Sequence, residues 1–149
     1  PGGLRQGARL IDAVDPRTAA PAQLARLRDE WAAGARAWAG DPLPKGLADT
    51  TVLMLLLDAA AAPWIARSLA GDRSAERRYE DSLAGLLDRF PARHPMGPHR
   101  RWCLVRDAWA LAEHRARTAR GERLPPPART TCCLLVRVPG CTECAGCPR

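Results

Sequence analysis

Five of the six cysteines in this chain fall within its last 18 residues, at Cys132, Cys133, Cys141, Cys144 and Cys147. A disulfide framework that supports a small secreted domain spreads its cysteines so that they close long loops. Here almost every closure would be local, and nothing would staple the 131 residues before Cys132. Those residues must fold on an apolar core of their own. The composition supplies one core and no more: after the 28 alanines and the cysteines are set aside, the 46% apolar fraction leaves about 35 large side chains, five of them Trp. Five Val and two Ile are few β-branched residues for 149 positions, so the balance favours helix over sheet.

Clustered thiols also bear on location. After Pro1 there is no basic stretch followed by an apolar run and a small-residue cleavage site, so the reducing cytoplasm is the expected compartment. There, grouped cysteines usually serve metal or redox chemistry. The net charge is +7, from 23 basic and 16 acidic residues, and Lys45 is the only lysine. The arginines are interspersed with acids on helical faces, as in Arg26, Arg28, Asp29 and Glu30, which reads as solvated surface. No element gathers them and no helix-turn-helix pair stands out, so nucleic acid is not an expected partner.

Ala20 to Ala39 has the spacing of an amphipathic helix, with Leu24, Leu27, Trp31 and Trp38 recurring at three-, four- and seven-residue steps until Gly40-Asp41-Pro42. Asp49-Thr50 is positioned to cap a second helix from Thr51 to Ala70. Its apolar run Val52 to Leu57 makes it the expected central element. Asp58, Pro63 and Arg67 interrupt it, so membrane insertion is not expected, and Pro63 predicts a kink. Ser74 is a candidate cap for a third helix to Phe90, with Leu83, Leu86, Leu87 and Phe90 on one side. After the proline-broken segment 91–98, a fourth helix from His99 to Arg120 carries Trp102, Val105, Trp109 and Ala112 as its buried stripe. Cys103 is an expected core cysteine, and Trp31, Trp38, Trp64 and Trp109 are expected core tryptophans.

The grammar then changes. Residues 123–129 are a proline-rich linker. Thr130 to Val138 is the only β-like run, Pro139-Gly140 a turn, and Cys141 to Cys147 a thiol-rich loop. The expectation is one mainly α domain: a four-helix body over 1–122, the linker, and a tail over 130–149 with a short β-like strand and a cysteine-rich metal-binding loop.

Two thiolates spaced Cys-x2-Cys converge on one metal because a tight loop joins them, and a second pair from a distant segment completes four ligands. Cys144-Ala145-Gly146-Cys147 is such a pair, and Gly146 gives its loop backbone freedom. Cys132-Cys133 would be the second. Adjacent side chains of a strand point to opposite faces, which suits a two-iron cluster better than one zinc ion, although zinc stays open.

Cys132-Cys133, ten intervening residues and Cys144-x2-Cys147 resemble the C-terminal Cys-Cys-x10-Cys-x2-Cys signature of the FhuF-like ferric siderophore reductases. The Thr-Cys-Cys-Leu-Leu-Val-Arg-Val-Pro-Gly context is similar too. The resemblance covers about the last 20 residues. It implies a cytoplasmic enzyme with one [2Fe-2S] cluster on Cys132, Cys133, Cys144 and Cys147. Its activity would be one-electron reduction of iron(III) held by a siderophore, supplied by an external donor such as a ferredoxin. Cys141 departs from the signature. It creates an overlapping Cys141-x2-Cys144 pair and is an alternate ligand.

No Gly-x-Gly-x-x-Gly opens a helix, so no flavin or nicotinamide site is expected, nor any catalytic side chain beyond the cluster ligands. His99, Arg100, Arg101 and Trp102 form a basic, aromatic-flanked segment that could meet the siderophore, against the plainer reading of a solvated first helical turn. Two other function classes fit the cysteines: an iron- or redox-sensing regulator, and a helical interaction domain with a structural zinc tail.

Overall fold

The computed structural model describes residues 11, 12 and 14–148; the first ten residues of the expected body and Arg149 of the expected tail lie outside these. Four helices are complete among the described residues: α1 Pro21–Ala39, α2 Leu47–Leu69, α3 Ala75–Arg89 and α4 Pro98–Ala119. A single 3-10 turn follows at Leu135–Arg137.

α2 is the central element, as its apolar run requires. Val52, Leu53, Leu56 and Leu57 are completely buried, and α1, α3 and α4 all pack against it. By length and composition α2 could cross a membrane despite Asp58, Pro63 and Arg67, yet in this fold it is the core helix on which the other three converge. Leu83, Leu86, Leu87 and Phe90 of the third element are buried in the same core, and so is Tyr79, which the leucine spacing does not single out. Tyr79 ties three helices together: its hydroxyl reaches the carbonyls of Val105 in α4 at 3.2 Å and Leu57 in α2 at 3.4 Å. Its ring also lies 5.2 Å from that of Trp109. Burial raises the Tyr79 pKa well above the usual phenol range, so the hydroxyl stays protonated and donates at neutral pH.

Several helix starts differ from expectation. α2 begins at Leu47, after Gly46 in the left-handed region (φ 77°), so Asp49 lies in the first turn and is not its cap. The Asp49 carboxylate instead crosses to the proline-broken segment, where it accepts the N–H groups of Arg93 at 2.8 Å and His94 at 3.0 Å. Ser74 does stand at the start of α3 but makes no capping bond; its hydroxyl donates to Asp72 at 2.7 Å. α2 runs on through Pro63 to Leu69. Among the tryptophans, Trp31 and Trp109 are core, Trp64 and Trp102 are half-buried, and Trp38 is exposed. Cys103 is also half-buried rather than core, with its sulfur 3.5 Å from His99 Nε2 one turn earlier.

The tail holds the largest correction. No strand forms among the described residues, and Thr130 to Val138 is irregular apart from the 3-10 turn. A lone apolar run has no partner strand to complete its ladder. A buried carboxylate in α4 offers its backbone better partners.

Candidate metal centre

That carboxylate is Asp107, 4% exposed on the otherwise apolar face of α4. One oxygen accepts the Thr130 N–H and hydroxyl, each at 2.9 Å; the other accepts the Thr131 N–H at 2.9 Å and its hydroxyl at 2.5 Å. A buried charge is tolerated only with such partners, so the two threonines are fixed to α4 immediately before Cys132. On the far side of the loop, the Arg100 guanidinium donates to the Cys132 carbonyl at 2.9 Å and to Thr50 Oγ1 at 3.3 Å. The vicinal cysteines therefore hang between α2 and α4.

Leu134 then takes the left-handed conformation, φ 66°, which a branched side chain adopts only under local constraint. The result is a pair of N–H···S contacts. Leu134 N–H points at Cys132 Sγ at 3.3 Å, and the backbone N–H of Leu135 meets Cys133 Sγ. Because the pair does not lie in a strand, the alternation of strand side chains no longer separates one zinc from two irons. The cysteine spacing and the amide donors remain, and amide hydrogen bonds to sulfur are a principal means of setting a cluster's potential.

The second cysteine pair is docked onto the first through the segment expected to be linker. Arg129 is 8% exposed, not solvated. Its backbone N–H donates to the Gly146 carbonyl at 2.9 Å, and its guanidinium lies 3.9 Å from Cys144 Sγ and 3.3 Å from Met54 Sδ. Asp107 is 3.9 Å from Arg129 Nε, which has no hydrogen-bond partner although it is buried. Gly146 is obligatory here. It sits at φ 82°, and a Cβ would come within 2.4 Å of the Pro127 carbonyl. The Cys147 N–H closes a turn onto the Cys144 carbonyl at 3.0 Å.

Cys133 and Cys144 are thereby brought into thiol contact. Burial pushes the Cys133 thiol above its usual range; the Leu135 amide opposes this, Cys144 adds to it, and Arg129 again lowers it. Among the described residues no three ligand side chains close around a common point. Four thiols have no attraction of their own that would gather them, and in metallo-domains it is metal binding that supplies this free energy. The donor set suits a sulfur-ligated centre: four cysteines in two pairs, two amide donors on sulfur and one buried cation beside a third sulfur. Cys141 is half-buried against the apolar core, with its N–H on the Val138 carbonyl.

Of the basic segment, only Arg100 reaches this region. Arg101 closes the end of α3, donating to the carbonyls of Leu87, Phe90 and Met96. His99 is exposed beside Cys103, and Trp102 packs against the core. The sequence reading missed Asp107 and placed Arg129 in the linker. A carboxylate inside the stripe Leu104, Val105, Ala108 and Trp109 was the available signal, because a charge on a buried face needs a partner. No family model, no curated protein and no solved structure matches this chain. The residues of the site thus carry the functional reading.

Proposed function

We propose that this chain is a cytoplasmic ferric siderophore reductase, with Cys132, Cys133, Cys144 and Cys147 as ligands of a [2Fe-2S] cluster. When bound, that cluster supplies one-electron transfer at a potential the protein sets. The observation that supports this best is the treatment of the sulfurs. Two successive backbone amides serve Cys132 and Cys133, and the buried guanidinium of Arg129 stands beside Cys144. Donors and cations around sulfur favour a more negatively charged centre, and so favour accepting an electron. The same donors would also stabilise zinc-bound thiolates, so the two-iron reading rests on the cysteine signature, and metal analysis separates it from a structural zinc tail.

Each chain element has a defined task in this reading. Asp107 and Arg100 hold the vicinal pair between α2 and α4, while Arg129 and Gly146 dock the Cys144–Cys147 turn. Cys144 is exposed, which leaves one edge of the site open to an external electron donor such as a ferredoxin. The substrate would be an iron(III) siderophore. Reduction weakens its hold on the metal and releases iron(II). The test is reduction of iron(III) complexes of both a trihydroxamate and an α-hydroxycarboxylate siderophore by the dithionite-reduced protein, freed of excess dithionite, with a ferrous chelator trapping the product. Stoichiometric iron(II) supports the enzyme. A red-brown protein that is oxidised by no ferric chelate would be a sensor, and a colourless protein holding zinc would be neither.

A further inference from the structure

Beside the start of the cysteine loop, at Leu134, lies a hollow of about 330 Å³ lined by Lys45, Asp49, Thr50, His94, Arg100 and Leu134 among others. Its three basic side chains come from three separate places: the loop before α2, the segment before α4, and the first turn of α4. The one acid, Asp49, is 1% exposed and already engaged. One of its oxygens accepts the Arg93 N–H, and the other accepts the His94 N–H and lies 3.2 Å from His94 Nδ1. That contact holds the imidazole ring through Nδ1. Arg100 uses one terminal nitrogen for both Thr50 and the Cys132 carbonyl, so Nε and the other terminal nitrogen remain for a ligand. The hollow is therefore positive and rich in unused donors. Its wall includes Leu134, whose N–H is the one directed at Cys132 Sγ.

We propose that this hollow binds a carboxylate limb of a negatively charged iron(III) chelate, and so selects α-hydroxycarboxylate siderophores over trihydroxamates. Arginine presents a planar fork that matches a carboxylate, lysine adds charge and histidine a polar ring, and a trihydroxamate chelate of neutral or positive charge offers these groups nothing equivalent. The volume accommodates one limb and not an entire chelate, which leaves the metal end at the mouth beside the cysteine loop. Identification of the ligand as an iron chelate rests on the reductase reading; its anionic character rests on the hollow alone.

Gallium(III) has the charge and approximate size of iron(III) but is not reduced, so its chelates separate binding from electron transfer. Calorimetry of the full chain should show the gallium complex of an α-hydroxycarboxylate siderophore binding at least about tenfold more tightly than the gallium complex of a linear trihydroxamate. Lys45→Glu, at a residue with no role in holding the loop, should abolish that preference. Arg100→Gln should weaken binding about tenfold as well. Equal affinity for the two complexes, or a preference that survives Lys45→Glu, overturns the proposal. Preferential binding together with failure to reduce the corresponding iron complex would leave the hollow standing and remove the reductase. Reduction without any preference would do the reverse.

Discussion

In the helical body Leu53, Leu56, Leu83 and Leu86 have no solvent exposure and belong to one apolar cluster spanning several helices. Between Pro125 and Pro148 the buried residues are Arg129, Thr131, Cys133 and Val138, three of them polar or sulfur-bearing. The body is held by area removed from water, a force without direction. The cysteine tail is held by a few directed bonds to Asp107, Arg100 and Gly146. Damage to the two regions should therefore look different. Loss of packing in the body acts on the entire molecule, while loss of one hook in the tail should free the site from helices that stay folded.

The largest effect is expected in the body. Leu53→Ala or Leu86→Ala leaves a cavity where the structure can collapse only in part, at a cost of about 2–5 kcal/mol. Urea unfolding followed by circular dichroism should show one transition displaced as a whole. A mutant of near-normal stability would mean that the bundle is looser than its burial implies.

Similar in energy but narrower in reach is Asp107→Asn. It turns a four-bond acceptor into a group whose amide opposes the same donors, and it leaves Arg129 buried beside no charge. Removing one member of a buried charged set typically costs about 3–5 kcal/mol. Here that cost should be confined largely to the tail. Hydrogen exchange should show the Thr130 and Thr131 amides losing protection while those of α2 and α3 keep theirs. If α2 loosens equally, the two regions are a single cooperative unit and the comparison fails.

Gly146→Ala is a narrower version of the same break. The added Cβ cannot coexist with the Pro127 carbonyl, so the Cys144–Cys147 turn should lift away from Arg129 and metal content should fall, with helix content unchanged. Retention of full metal content would show that the docking of residues 127–129 on Gly146 is not required to build the site.

Arg129→Gln probes tuning rather than assembly. A unit charge about 4 Å away at an effective dielectric near 20 contributes up to about 4 kcal/mol. Its removal should lower the midpoint potential by an amount on the order of 100 mV, and Arg129→Lys should restore most of it. An unchanged potential in Arg129→Gln would reduce this residue to packing.

The comparison also explains which parts of the molecule are legible in the sequence. Helix positions follow from spacing, because burial acts on every third or fourth residue and repeats. Val52 to Leu57 identifies the central helix for that reason. The tail has no period to read. Thr130 to Val138 looks like a strand by composition, yet its conformation is decided by one carboxylate 23 residues earlier in the chain, bonded to Thr130. Asp49 misleads in the same way, since a residue well suited to cap a helix is used instead to anchor the His94 segment. Cysteine spacing makes the four candidate ligands visible, because ligation constrains local sequence. Arg129, the group closest to tuning them, is invisible because its partners are all distant in sequence.

The most direct test of the central claim is the iron and acid-labile sulfide content of the chain purified without oxygen, read with its visible spectrum. The account predicts two irons and two sulfides per chain, lost in Cys132→Ser, Cys133→Ser, Cys144→Ser and Cys147→Ser but kept in Cys141→Ser and Cys103→Ser. A colourless protein with one zinc per chain, or a cluster that survives Cys132→Ser and disappears with Cys141→Ser, would contradict it.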